Sequence, residues 1–307
     1  MLGYLYTYYG QKSYWISESI DRYITSFAEY NSKFYCSGDN GILYELNGNS
    51  WVAKTSSIGT TYRVLNNGLL PAFGGLYAII SSNSATCLCK WNDVNAWETV
   101  GTIASGPGQC LVLFDGSLYT CLKDGTLYQW NGVDTLTSVS SSIGSGSIAK
   151  LVVHDGYLYC VHDGGLFKWN GVDSYTTQIV NDGNNSRQVA SDGTYIYYGH
   201  SFADSDYPVV YRWTSGSSWV TYATGTDQRF DISDMLFFGS DLFIMLYDNT
   251  YSNPSNPNKV MKVTATGFEE YYANSDYMFN GIGEFDSDFY VSVDEGATIN
   301  YYVIKIN

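Results

Sequence analysis

The chain has 307 residues, with 15 basic and 30 acidic side chains and a formal net charge of −15. That balance excludes the basic footprint of a nucleic-acid binder and disfavours contact with anionic lipid. No stretch approaches the ~20 apolar residues that span a bilayer, so no membrane insertion is expected. Its 30 Tyr, 31 Gly and only 5 Pro, without a sustained helical period, point to an all-β fold.

In chain order, Met1–Tyr9 lacks a basic n-region and a cleavage site, so no secretory signal is expected. Leu5-Tyr-Thr-Tyr-Tyr-Gly10 has the pattern of a strand, and Ser13-Tyr-Trp-Ile-Ser-Glu18 matches Ser50-Trp-Val-Ala-Lys-Thr55. A phrase then recurs. It reads Asp39-Asn-Gly-Ile-Leu-Tyr-Glu-Leu-Asn-Gly48, Asp124-Gly-Thr-Leu-Tyr-Gln-Trp-Asn-Gly132 and Asp163-Gly-Gly-Leu-Phe-Lys-Trp-Asn-Gly171. Looser copies end at Trp91-Asn92 and Trp213-Thr214, at intervals of about 39 to 45 residues, and such a period marks a repeat architecture.

The copy beginning at Ile148 is the clearest. Ala149–His154, Tyr157–Val161, Leu166–Trp169 and Ser174–Ile179 read as four strands, separated by turns at Asp155-Gly156, Asp163-Gly164 and Asn170-Gly171. Four antiparallel strands joined by tight turns make one propeller blade. First hairpins recur at Asn31-Ser32, Phe73-Gly74, Asp115-Gly116, Asp192-Gly193, Gly239-Ser240 and Asp286-Ser287. The expected fold is a seven-bladed β-propeller of four-stranded antiparallel blades in one domain over 1–307. The blades run approximately 24–62, 63–108, 109–147, 148–186, 187–228, 229–277, and 278–307 plus 1–20. The last copy lacks an outer strand, and Ser13–Glu18 supplies one, so the terminal strands close the ring and remove an unpaired edge. Leu5–Gly10 is then a surplus third strand, either a fifth strand in the closing blade or a self-assembly strand (Tyr4–Tyr9) that pairs with a second copy.

All eight tryptophans fall on two repeat positions. Trp91, Trp130, Trp169 and Trp213 end third strands, while Trp15, Trp51, Trp97 and Trp219 open fourth strands; repetition of this kind predicts packing between blades. The six cysteines show no framework spacing and read as small buried hydrophobes. The hairpin glycine, the following aromatic and the outer-strand Trp51, Trp97 and Trp219 resemble the kelch family of β-propellers, and more loosely the galactose oxidase-like propellers. The double glycine of kelch repeats is here mostly Asp-Gly. The resemblance implies the fold; one fold hosts many functions.

Second-to-third-strand loops share a face with the links between blades. They are longest in blade 5 (Gly199–Pro208) and blade 6 (Tyr247–Asn258), and binding residues concentrate on such loops. The candidate ligand-binding residues there are His200, Phe202, Asp204, Asp206, Tyr207, Tyr247, Asp248, Asn249 and Tyr251. Aromatic faces suit sugar rings, and Asp or Asn side chains meet hydroxyls. Asp204 and Asp206 are the candidate Ca²⁺ ligands, although neither they nor Asp286-Ser-Asp288 form an EF-hand loop. Ser37-Gly-Asp39-Asn-Gly41-Ile-Leu-Tyr44 fits the Asp-box spacing of sialidases, and Arg63, Arg187 and Arg229 precede innermost strands that could face the channel. No Ser-His-Asp order, phosphate loop or metal-ligand spacing stands out. The expected function is therefore a binding or structural propeller with no required cofactor. It would be an exposed virion, phage-tail or extracellular component that contacts a glycan or protein receptor. The alternatives are a glycan-active enzyme of sialidase or lyase type, and a cytoplasmic kelch-like interaction domain.

Overall fold

A computed structural model describes residues 13–20, 24–48, 50–58, 63–82, 85–103, 106–140, 142, 150–162, 165–180, 188–200, 207–213, 219–227, 230–248, 258–274, 278–294 and 301–306. The chain begins with β1 (Ser13–Ile20). Blade 1 is β2 (Ile24–Tyr30), β3 (Lys33–Gly38), β4 (Leu43–Asn47) and β5 (Ser50–Ala53). Blade 2 is β6 (Arg63–Ala72), β7 (Gly75–Ser81), β8 (Thr86–Trp91) and β9 (Trp97–Ile103). Blade 3 is β10 (Gly108–Phe114), β11 (Ser117–Leu122), β12 (Leu127–Trp130) and β13 (Leu136–Ser138). Blade 4 is β14 (Lys150–His154), β15 (Tyr157–His162), β16 (Gly165–Trp169) and β17 (Tyr175–Val180). Blade 5 is β18 (Gln188–Ser191), β19 (Ile196–His200), β20 (Val209–Trp213) and β21 (Val220–Thr224). Blade 6 is β22 (Phe230–Phe238), β23 (Asp241–Asp248), β24 (Asn258–Thr264) and β25 (Gly267–Asn274). Blade 7 is β26 (Met278–Phe285), β27 (Asp288–Asp294), β28 (Tyr301–Ile306) and, from the other end of the chain, β1.

The innermost strands touch in a closed circuit, β2 to β6, β10, β14, β18, β22, β26 and back to β2. The chain is thus a seven-bladed β-propeller. Closure follows the expected route: Ser13 pairs with Ile306, Trp15 with Ile304 and Ile16 with Val303, antiparallel. A parallel bridge between Ser17 and Ser50 then carries the sheet from blade 7 into blade 1, so β1 is covered on both sides at that point. Residues 1–12, and with them the surplus strand Tyr4–Tyr9, lie outside the described residues. Blade 5 departs from the expected two-residue hairpin. Its first turn widens across Asp192–Tyr195 because Asp192 Oδ1 accepts from the amides of Thr194 and Tyr195, substituting an Asx turn for the tighter reversal.

The core lies in the seams between blades. Trp91 packs on Tyr30 and Tyr35, Trp130 on Tyr77, Trp169 on Phe114 and Tyr119, and Trp213 on His154 and Tyr159, each from the blade after its partner. Indole donors bolt the same seams: Trp97 Nε1 donates to Gly41 O, Trp130 Nε1 to Val100 O and Trp219 Nε1 to Gln178 O. The recurring Trp-Asn is turn chemistry. Asn92, Asn131 and Asn170 each accept from the backbone amides two, three and four residues on, which closes the third hairpin. The Asp-box-like run is likewise a turn, with Ile42 N donating to Asn40 Oδ1 and Ser37 Oγ to Ile42 O. Cys36, Cys121 and Cys160 occupy the second strands of blades 1, 3 and 4 and are fully buried, while Cys87 is half-buried. Burial pushes the Cys36 and Cys121 thiols well above their ordinary value.

Histidine 154 puts a pH dependence into one seam. Its ring is buried, with Nδ1 2.8 Å from Ser191 Oγ. Burial lowers its pKa, while the charges of Asp155 and Asp192 raise it less. The neutral ring is therefore what the fold accepts. Below about 6.5 the unfolded chain gains a proton that the folded chain resists, so stability falls as pH drops through that value towards the folded pKa. Melting curves from pH 7.5 to 5.5 should show a steeper fall for the wild type than for His154→Phe, which copies Phe114 of blade 3. Parallel curves would remove His154 as the cause.

Candidate functional site

The face that carries the links between blades also carries the connections from second to third strands. In blade 5 that connection covers 201–208 and in blade 6 it covers 249–257, wider than 39–42 in blade 1 or 123–126 in blade 3. The strand ends that present them are fixed by pairing: His200 with Val209 in blade 5, and Asp248 with Phe230 in blade 6. Phe202, Asp204, Asp206, Asn249 and Tyr251 lie outside the described residues, as do Arg187 and Arg229; for His200, Asp248 and Arg63 the structure gives the backbone position in a strand. Tyr207 is 42% exposed at the foot of the blade 5 connection, and Tyr247 is half-buried in β23 opposite Asp231.

Beneath these ends a cavity of about 170 Å³ separates blades 5 and 6. Pro208, Phe230, Leu246, Met261 and Phe268 give it an apolar wall, Lys259 supplies a cation, and Asp227 and Glu269 supply carboxylates. Lys259 Nζ sits 3.0 Å from Glu270 Oε2 and 5.6 Å from the Phe230 ring centroid. The blade 5 edge is held down by Gly225 N donating to Pro208 O at 2.8 Å. Only glycine fits there: a Cβ on Gly225 would stand 2.7 Å from Pro208 Cγ and 3.1 Å from the Phe268 ring. The arrangement is an aromatic cleft with charges of both signs, beside an exposed tyrosine, suited to holding a polar ligand with one flat apolar side. The sequence singled out the connections on this face and did not single out Lys259, Phe230 or Phe268. All three lie in regular strands of blade 6, on β22, β24 and β25, where no loop or motif marks them.

Among the described residues, no group of three or more His, Cys, Asp or Glu side chains converges as a metal site. Asp286 and Ser287 form a left-handed turn (φ 51° and 62°), and Asp288 pairs with Lys305, so this run serves the first hairpin of blade 7.

Neither protein-family models nor curated protein sequences give a match to this chain. Solved structures do. The chain is similar to a B. thetaiotaomicron extracellular domain described as that of a hybrid two-component system, with TM-score 0.71 and 12% identity over 96% of this chain. It spans 39% of the length of that protein. It is also similar to a chain of the mitotic checkpoint complex, with TM-score 0.66, 12% identity and coverage of 95% and 93% of the two chains. A third likeness is to the WD40 β-propeller domain of Doa1, with TM-score 0.64, 12% identity and 96% of both chains covered. At this identity the likeness establishes the propeller fold and nothing of substrate or partner.

Proposed function

We propose that the chain is a non-enzymatic binding or structural propeller, and that its blade 5–6 face contacts a glycan or protein receptor. The setting proposed is an exposed surface, that of a virion, a phage tail or another extracellular assembly. The observation that supports this most directly is Tyr207, exposed beside the 201–208 connection and above the cleft that holds Lys259. Exposed loops on a rigid scaffold are where proteins place binding groups. Replacing Tyr207 and Tyr251 together with alanine is expected to abolish retention on a glycan array or on target cells, at unchanged melting temperature. Unchanged binding would remove this face from the assignment. The same loops carry Asp204 and Asp206, and a shift in melting temperature on adding Ca²⁺, lost in Asp204→Asn, would establish them as ligands.

Kelch-like affinity and an intracellular protein-interaction role form a second reading. A glycan-active enzyme is the third, and turnover of a sialoside or polysaccharide panel would establish it. Self-assembly through Tyr4–Tyr9 belongs to the first reading. Deleting residues 1–10 should then dissociate the assembly while the propeller stays folded.

A further inference from the structure

Three seams between blades repeat one arrangement, and the seam between blades 2 and 3 departs from it. In three seams the last residue of an innermost strand is a ring packed against the tryptophan of the next blade. Tyr30 lies 6.3 Å from Trp91, Phe114 6.3 Å from Trp169 and His154 6.5 Å from Trp213. Blade 2 has Ala72 at that position, and its ring comes one residue later, in the turn itself: Phe73 lies 6.2 Å from Trp130. Tyr30 and His154 are buried, whereas Phe73 is 52% exposed.

At that turn position Phe73 sits in the left-handed region, at φ 48°. Bulky residues are genuine outliers there. The corresponding turn position in other blades holds Asn31, Asp115, Asp155, Gly239 and Asp286, residues that accept positive φ. Phe73 thus meets a backbone penalty that its neighbours avoid, and it leaves half its surface in water. Strain of this kind at an exposed aromatic points to function.

What the displacement opens is a groove of about 380 Å³ between blades 2 and 3, on the face opposite the blade 5–6 loops. Its volume lies within the ~300–1,000 Å³ of small-molecule sites. Phe73 forms one wall, braced edge-on by Tyr77, and buried Trp130 forms the floor. Ser117, Gln129 and Thr137 bring hydroxyl and amide groups to the rim, with Gln129 Nε2 held 3.0 Å from Ser117 Oγ. Among the described residues, none that lines the groove carries a charge.

We propose that this groove is a binding site for a neutral saccharide. The C–H face of a pyranose lies against the electron-rich face of an aromatic ring, as Phe73 presents it. Hydroxyl groups pair with amides and hydroxyls, which both donate and accept. The uncharged lining, in a chain of net charge −15, disfavours sialylated, sulfated or phosphorylated ligands. A peptide side chain would call for more aliphatic lining than Val139 supplies. This inference goes beyond the blade 5–6 reading and does not depend on it.

The test is to regraft the seam. Ala72→Phe with Phe73→Asp gives blade 2 the Phe-Asp-Gly of blade 3, which refills the space and relieves the strained turn. The full chain and this variant are applied to an array of neutral oligosaccharides ending in glucose, galactose, mannose or an N-acetylhexosamine. Sialylated glycans and proline-rich peptides are printed beside them. The expected result is retention of at least one neutral glycan by the wild type and a loss of tenfold or more in the graft. Its melting temperature should be equal or higher. Gln129→Ala should weaken the same glycan severalfold. Retention unchanged in the graft overturns the proposal and leaves the blade 5–6 reading standing. Retention of no neutral glycan, or of peptides alone, also overturns it. A single Phe73→Asn variant separates packing from binding: if its melting temperature falls by many degrees, Phe73 is a packing residue and the proposal fails.

Discussion

Replacing Asp234 with alanine is expected to destabilise the propeller by about 3–5 kcal/mol, the cost of stranding a buried charge. Asp234 sits on the innermost strand of blade 6, just after a bulge between Ile232 and Asp234 that re-aims its side chain. One carboxylate oxygen takes Lys150 Nζ from blade 4 at 3.2 Å and Met235 N at 2.8 Å; the other takes Ile282 N from blade 7 at 3.3 Å. Lys150 also donates to Met235 O at 3.0 Å, and Gln188 of blade 5 donates to Ser233 O beside it at 2.7 Å. A single carboxylate therefore ties blades 4, 6 and 7, with blade 5 joined one residue away. Side-chain exposures of 11% for Lys150 and 7% for Asp234 place the pair out of bulk water. Without the carboxylate, Lys150 keeps one carbonyl partner and a desolvated charge. Removing both charges in Lys150→Met/Asp234→Ala should recover part of the loss, because the remaining amides forfeit only about 1–3 kcal/mol each. Urea unfolding of the two variants decides the point. If the single variant lies within about 0.5 kcal/mol of wild type, as an ordinary surface change would, the cross-channel pair is not a structural tie.

That pair also marks a limit of what the chain discloses. The period, the turn residues and the missing outer strand of the last copy were legible, because each is a local pattern with a local physical cause. Asp155-Gly156 reads as a hairpin from its two residue types and the alternating runs beside them, and the match of Ser13–Glu18 to Ser50–Thr55 needs nothing more. Lys150 and Asp234, 84 positions apart, carry no such pattern; they meet because the ring brings nonadjacent blades together across its centre. Lys259 and Phe230 escaped because they sit on two different strands of blade 6, β24 and β22, with no local motif to join them. The blade 2–3 groove is a different case. Ala72-Phe73-Gly74 set against Phe114-Asp115-Gly116 is a visible break in the phrase, and counting hairpins conceals it because the glycine stays in place. The repeat reports scaffold, and its breaks are where the chain departs from that scaffold.

Ring closure predicts the second large effect. Removing residues 1–20 deletes β1, the strand that pairs with β28 along Ser13–Ile20 and bridges to β5 at Ser17. The β28 edge is then left unpaired, with its backbone donors and acceptors exposed. Blade 7 falls to three strands, and with it the seam to blade 1. There Phe34 is packed between Phe285 at 5.0 Å and Tyr290 at 4.8 Å. A ring of blades has no independent subunit on which to fall back, so the loss should approach the whole ~5–15 kcal/mol by which a folded chain is stable. Aggregation of the soluble fraction should follow, read by size-exclusion chromatography and by loss of a cooperative melt. Removing residues 1–12 alone leaves β1 intact and should leave the melt intact too. The decisive counterpart is a circular permutant that starts at Ile24 and carries residues 13–23 after Asn307 through a short glycine-serine link. Ser13 already pairs with Ile306, so the link closes an ordinary antiparallel hairpin at small entropic cost. That permutant should melt within a few degrees of the parent. A truncated chain that stays monomeric with an unchanged melt would mean that closure contributes little, and that the seven blades cohere through their seams alone.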